Sequence, residues 1–364
     1  GISGPVSVEG ALTLSGDSWS VDAAGQGPYA SDFTAVGALT PALSLRYTFD
    51  LPNIGVLVRE SAGPLALQGT LTQSGESIRT QTDLQGPNGT QLALVGAVTP
   101  DIDLQLQGSA PLGLANPFIQ PRNVLGTARF DLAQRGTDLT GLSGVVTLSD
   151  GVFVEPSQGL IVEQIGGDIR LSGGRAEIGL QGRPEQGGTV SVAGAVGLTG
   201  SNLADLAVTL NGVVLEDPNL YRTLLDGRIS VAGPLQGGAR ISGRVDVGET
   251  LISIASPAIG SFGTIPDITH VGDNSGQRAT RQRAGLVPEP GANSQGGGGP
   301  IFPLDLTISA PSRVFVRGRG LDAELGGQFR VTGSTARLIS SGAIELIRGR
   351  LDIIGQRFAL DTGR

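Results

Sequence analysis

The sequence predicts an all-β protein, an antiparallel-rich sheet assembled from repeated strand units with one dry face and one wet face. Three observations carry this. Apolar and polar residues alternate with a period of two rather than 3.6. Turn-forming residues return about every ten positions, as a meander requires. A block near the start recurs at a constant offset: Gly4-Pro5 returns as Gly63-Pro64, Gly27-Pro28 as Gly86-Pro87, Gly37-Ala38-Leu39-Thr40-Pro41 as Gly96-Ala97-Val98-Thr99-Pro100, and Pro52 as Pro111.

Taken in order, residues 1–125 form a repeated β segment with units at about 4–62 and 63–121. In the first unit Leu43, Leu45, Tyr47 and Phe49 alternate with Ser44, Arg46 and Thr48; in the second, Ile102, Leu104 and Leu106 alternate with Asp103 and Gln105. Residues 126–271 continue in the same style, with Leu206, Val208 and Leu210 on the dry side. One short helix is predicted near 218–226, where Asp217 would cap, Pro218 would take the first helical position and Gly227 would end it. Residues 272–300 are polar and Gly-rich, with Arg278, Arg281 and Arg283, and read as a flexible, solvated loop. A last β segment spans 301–364, with Leu304, Leu306 and Ile308 alternating against Asp305, Thr307 and Ser309. Strands of about seven residues at ~3.3 Å each would make a sheet ~23 Å wide.

Composition removes several function classes. The chain has 364 residues, no Cys and one His, and all its basic residues are arginine. Disulfides, thiolate chemistry, a Walker lysine, a Schiff base and a multi-His metal site are therefore excluded. A net charge of -8 argues against a nucleic-acid partner. No stretch approaches the ~18 apolar residues of a membrane span. A chain that opens on Gly1 without Met is expected to belong to a longer protein.

Four features imitate chemistry. Gly318-Arg319-Gly320-Leu321-Asp322-Ala323 follows a strand like a dinucleotide fingerprint, but Gly326-Gly327 and renewed alternation leave no room for the helix that would hold a phosphate. His270 sits beside the glycine-rich loop without a nucleophile elbow, so a triad is disfavoured. The pairs Asp322/Glu324 and Asp101/Asp103 lie two apart and read as wet-face residues rather than a glycosidase dyad. Asn88-Gly89-Thr90 matches a glycosylation acceptor but falls in a repeat turn. No catalytic residue, metal or cofactor is assigned, and the protein reads as a non-enzyme.

The last third carries a family pattern. Phe315-Val316-Arg317-Gly318-Arg319-Gly320-Leu321-Asp322-Ala323-Glu324-Leu325-Gly326-Gly327, with Val331-Thr332-Gly333 and then Gly342 through Gly355 and Arg357-Phe358, resembles the signature stretch of the TamB family. Asp217-Pro218-Asn219-Leu220-Tyr221 to Gly227 and Val231 to Leu235 are similar to it as well. The resemblance extends from about Gly126 to Arg364, while 1–125 shares only the repeat style. It implies a long periplasmic protein of Gram-negative bacteria, anchored in the inner membrane by an N-terminal helix and related to AsmA-like and bridge-like lipid-transfer proteins. Its sheet would curl into a half-pipe, or β-taco, with an apolar interior groove. The partner would be TamA, an outer-membrane barrel, approached mostly by parts outside this chain. The implied roles are phospholipid transport and outer-membrane protein assembly.

Physics points the same way. Dry-faced strands without a helix layer need a second sheet or a curled sheet filled by acyl chains, and few aromatics suit a lining that leaves space. The candidate groove lining is Leu43, Leu45, Tyr47, Phe49, Ile102, Leu104, Leu106, Leu206, Val208, Leu210, Leu304, Leu306 and Ile308. Two functions compete: a lipid conduit whose ligand is phospholipid, and an assembly scaffold that pairs its strand edges with outer-membrane β-barrel or autotransporter clients. A β-solenoid adhesin is disfavoured, because its rungs are much shorter than this repeat.

Overall fold

Strand-favouring alternation runs through nearly all of the computed structural model, which describes residues 5–56, 62–156, 159–217, 219–254, 301–353 and 355–361. The first repeat folds as β1 (Ser7–Ser15), β2 (Ser18–Gly27), β3 (Ser31–Ala38) and β4 (Ser44–Leu51). The second folds as β5 (Leu65–Ser74), β6 (Ser77–Gln85), β7 (Gln91–Thr99) and β8 (Asp103–Pro111). Equivalent turns match: Tyr29 and Asn88 take φ of 63° and 56° inside matching 3-10 turns. A four-residue helix, α1 (Asn116–Ile119), then leads into longer strands. These are β9 (Asn123–Arg135), β10 (Leu142–Glu155), β11 (Leu160–Ser172), β12 (Arg175–Pro184), β13 (Thr189–Gly197), β14 (Leu203–Asp217), β15 (Tyr221–Pro234) and β16 (Arg240–Ser253). After residue 300 come β17 (Pro303–Gly318), β18 (Leu321–Ser334), β19 (Arg337–Ile353) and β20 (Gln356–Leu360).

Each strand pairs with the next, antiparallel except at one joint, where β16 and β17 run parallel. Among the described residues β1 pairs only with β2 and β20 only with β19, so this single sheet is not closed into a barrel. A parallel joint needs a crossover connection. That connection contains 255–300, so the loop expected at 272–300 and His270 lie outside the described residues.

Among the described residues the sheet has no second layer. Its buried apolar residues are few and none is larger than Leu: Leu51, Ala128, Val162, Ala176, Ala204, Val213, Ala239 and Ala323. Glycines and bulges curl it. At Gly96 (φ 148°) a Cβ would stand 2.0 Å from the Asp103 carbonyl oxygen, and at its repeat equivalent Gly37 (φ 153°) 2.0 Å from that of Ser44. Side chains rarely adopt that backbone, so only glycine fits these positions, and glycine kinks of this kind let a sheet curve. Further along, register shifts at Leu148/Gly151, Leu210/Val213, Asp246/Thr250 and Ala310/Val314 add bulges at one level of the long strands. Bulges increase local twist and bend the strand that carries them.

Two expectations are corrected. The stretch read as a helix near 218–226 is a hairpin running into β15. Asp217 caps a turn, not a helix: its carboxylate accepts the Asn219 N–H at 2.9 Å and its carbonyl the Leu220 N–H at 3.0 Å. Pairing with β14 on one side and β16 on the other then overrides helix propensity. Strands are also longer than seven residues. They run from 8 residues in β3 to 17 in β19, with only β20 shorter, and glycines such as Gly194 and Gly243 lie inside strands rather than ending them.

Candidate functional site

Cross-strand register defines one face from end to end. Cα partners in a sheet share a face, so a rung can be followed strand by strand. From β1 to β19 it reads Val8, Gly25, Phe33, Phe49, Leu67, Leu84, Leu92, Gly108, Phe130, Val146, Ile169, Ile178, Gly194, Leu206, Val231, Ile241, Leu304, Gly333 and Leu338. Every member is apolar or glycine. One residue over, the opposite face reads Arg170, Glu177, Ala195, Asp205, Ala232 and Arg240 across β11 to β16. β18 shows the division within one strand: Leu321, Ala323, Leu325, Phe329 and Val331 point one way, Asp322, Glu324, Gln328 and Arg330 the other.

The sequence-predicted lining falls on this face. Leu45, Tyr47 and Phe49 lie in β4, Leu104 and Leu106 in β8, Leu206, Val208 and Leu210 in β14, and Leu304, Leu306 and Ile308 in β17. Register joins them: Leu104 to Gly96, Val208 to Ile229, and Leu306 to Gly243 and Val331. Leu43 and Ile102 sit just before β4 and β8, where their carbonyls accept the N–H of Gln73 at 2.7 Å and of Gly136 at 2.8 Å. All thirteen are half-buried, with neighbours beside them and no layer of described residues above.

Two contributions escaped the sequence reading. The first is glycine on the apolar face. Gly25, Gly69, Gly96, Gly194, Gly243 and Gly342 share it, each beside a larger apolar partner such as Phe33, Tyr47, Leu104 or Phe329. Their parity with the apolar residues of the same strand was the available signal. The second is a polar spot. Tyr47 lies over Gly69, and its hydroxyl meets Thr82 at 2.5 Å and Thr80 at 3.1 Å, while the two threonines are 2.8 Å apart. Thr80 and Thr82 are only 6% and 7% exposed, so these hydroxyls satisfy one another within an apolar surface.

The polar face is tied by arginine–carboxylate pairs. Arg330 grips Asp305 through two bonds of 2.6 and 2.8 Å, and Arg240 approaches the same carboxylate at 3.8 Å, spanning the parallel joint. The Arg330 hydrogen bond holds the Asp305 carboxyl below its usual range against the opposing effect of burial, and Asp305 in turn raises Arg330. Near the β17–β18 turn, Arg317 and Arg350 each hold one oxygen of Asp322 at 3.1 Å. Arg348 donates to Glu324 at 2.7 Å and the Arg313 backbone N–H donates to it at 3.2 Å. The Arg348 bond lowers the Glu324 pKa more than its burial raises it.

A carboxyl lowered in the fold contributes stability above its unfolded pKa and loses it as pH falls through the lower folded value. The Glu324 contribution should therefore be full above the ordinary glutamate range, decline as pH falls through that range, and be gone once pH lies below the lowered folded value. Carbon-detected titration of Glu324 should show a midpoint below that of a model glutamate, and Arg348→Gln should move it back up. A normal midpoint in the unsubstituted protein would contradict the pairing.

A family model described as the TamB C-terminal domain matches residues 177–364. The chain belongs to the TamB family. No curated protein and no solved structure matches it. TamB membership places the chain in the envelope of Gram-negative bacteria and ties it to the translocation and assembly module and to outer-membrane assembly. Among the described residues no helix is long and apolar enough to cross a membrane.

Of the residues that resemble the TamB signature, 342–353 lie in β19, 357–358 in β20, and 315–327 form the turn end of the β17–β18 hairpin. Its two-residue turn, Arg319-Gly320, has both φ values positive, 50° and 83°, as a tight hairpin requires. The apparent dinucleotide fingerprint is this turn, with strand rather than helix after it. In the TamB matched region the apolar parity of the signature faces the glycine-lined side and its charged parity builds the Asp322 and Glu324 pairs.

Proposed function

We propose that this chain is a segment of a periplasm-spanning lipid conduit. Its curled apolar face shields phospholipid acyl chains on their way between inner and outer membranes, serving outer-membrane biogenesis without catalytic turnover. One observation carries this reading: the apolar rung continues through β1 to β19 without a polar residue and, among the described residues, without a protein layer over it. Burying apolar surface yields about 25 cal/mol per Å², so a face of this extent favours an apolar occupant. Acyl chains fit a half-open trough of Leu, Val, Ile and Gly because they need no specific partner. A TamA-like barrel at the outer membrane would receive what the conduit delivers.

The test is direct. The chain, purified without detergent and extracted with organic solvent, should yield phospholipid at about one molecule per chain or more, as an order-of-magnitude expectation from the apolar area. A lipid-free, monomeric and folded chain would contradict the proposal.

A second reading has its own observation. β20 pairs only with Gly349–Ile353 of β19, so among the described residues the outer edge of 337–348 has no strand partner. An open edge accepts an added strand, which is how a scaffold would engage β-barrel clients. Recovery of client polypeptide in place of lipid from the same preparation would favour it.

A further inference from the structure

The polar face carries a recess that the conduit does not use. It opens beside the β17–β18 turn, holds about 330 Å³, and is lined by Phe315, Arg317, Asp322, Glu324, Arg348 and Arg350. Three guanidiniums meet two carboxylates there, so the recess is locally positive in a chain of net charge -8. The layering sharpens this. The Asp322 and Glu324 side chains are 36% and 11% exposed, while those of Arg317, Arg348 and Arg350 are 57%, 76% and 55% exposed. The carboxylates lie beneath and the guanidiniums face outward.

The arginines are also held in place. Arg317 and Arg350 bind the two oxygens of one carboxylate, Arg348 binds Glu324 through Nε, and Arg317 stacks 5.3 Å from the Phe315 ring centroid. Each guanidinium has five N–H donors in a fixed fork that matches phosphate geometry, and these contacts engage only part of them. We infer that this recess binds the phosphate of a phospholipid headgroup. The position fits: alternation turns Leu321 and Ala323 to the apolar face while Asp322 and Glu324 anchor the arginines on the other, one and three pairs from the turn end of the β17–β18 pairing. A lipid whose chains lie against the apolar face at this rim presents its phosphate toward the arginines. The headgroup assignment rests on the conduit reading; the oxyanion chemistry of the recess does not.

Arginine Nε–H signals of the whole chain report binding. Inorganic phosphate and a short-chain phosphatidylglycerol below its micelle-forming concentration are titrated separately, then in competition, against chloride of equal ionic strength. Saturable shifts are expected at Arg317 and Arg350 and not at Arg46 on the distant polar face. Arg350→Gln should weaken binding by ~10-fold, the scale of one charged hydrogen bond, whereas Asp322→Asn should strengthen it. Both variants break the same ion pair, so a purely structural role would weaken both alike and overturn the inference. Equal shifts with chloride would overturn it too. Phosphate binding that the lipid cannot displace would defeat the headgroup assignment. Intact phosphate binding in a chain that captures no lipid on its apolar face would instead defeat the conduit reading.

Discussion

Leu306→Asp is expected to empty the chain of lipid, and Thr307→Asp, one residue along, to leave it loaded. Leu306 stands on the apolar face between Gly243 and Val331. A carboxylate there faces Gly243 and Val331 rather than a cation and would sit against acyl chains, where an unpaired charge is strongly disfavoured. Thr307 stands on the polar face between Arg244 and Arg330, so an aspartate there gains two cationic neighbours. Phospholipid recovered from the detergent-free chain should fall at least ~10-fold for Leu306→Asp, about 1.4 kcal/mol of lost affinity, with Thr307→Asp at the unsubstituted level. Circular dichroism should show the β fold kept in both variants. Equal lipid in the two folded variants would contradict the assignment of faces.

Gly96→Ala should open the sheet locally, whereas Gly179→Ala should be nearly silent. At Gly96 the backbone takes φ 148° and the added Cβ would stand 2.0 Å from the Asp103 oxygen. Backbone strain of that kind costs ~1–3 kcal/mol before the collision is counted. At Gly179 in β12 the nearest atom is the Asp168 oxygen at 3.9 Å, an ordinary contact. A sheet in which each strand touches mainly its neighbours loses stability locally. Hydrogen exchange should therefore accelerate across β7 and β8 in Gly96→Ala and stay unchanged in Gly179→Ala. Matching protection in both would mean that glycine on the apolar face does not set the curl.

How much of this was legible follows from the range of each interaction. Period-two alternation is a property of single strands, so Leu43 to Phe49 and Leu304 to Ile308 revealed their faces without any register. The repeat showed itself because Gly37 and Gly96 occupy the same strained geometry. Asp217 misled because the residue types that cap a helix also cap a turn. Glycine misled because it both ends strands and bends them, and only the neighbouring carbonyl at Gly96 tells which. The polar ties were out of reach: Arg330 and Asp305 are 25 positions apart, Tyr47 and Thr82 are 35 apart, and only the register brings them together. The parallel joint between β16 and β17 leaves no mark in either strand's own sequence.

Photo-crosslinking in cells tests the central claim, that acyl chains occupy the apolar face. A photoreactive residue at Leu104, Leu210 or Ile308 lies on that face, and one at Asp103, Thr209 or Thr307 lies on the other, because adjacent residues of a strand point to opposite sides. The account predicts phospholipid adducts from the first three positions and none from the second three. Equal adducts from both sets, or polypeptide adducts alone from the first, would contradict it.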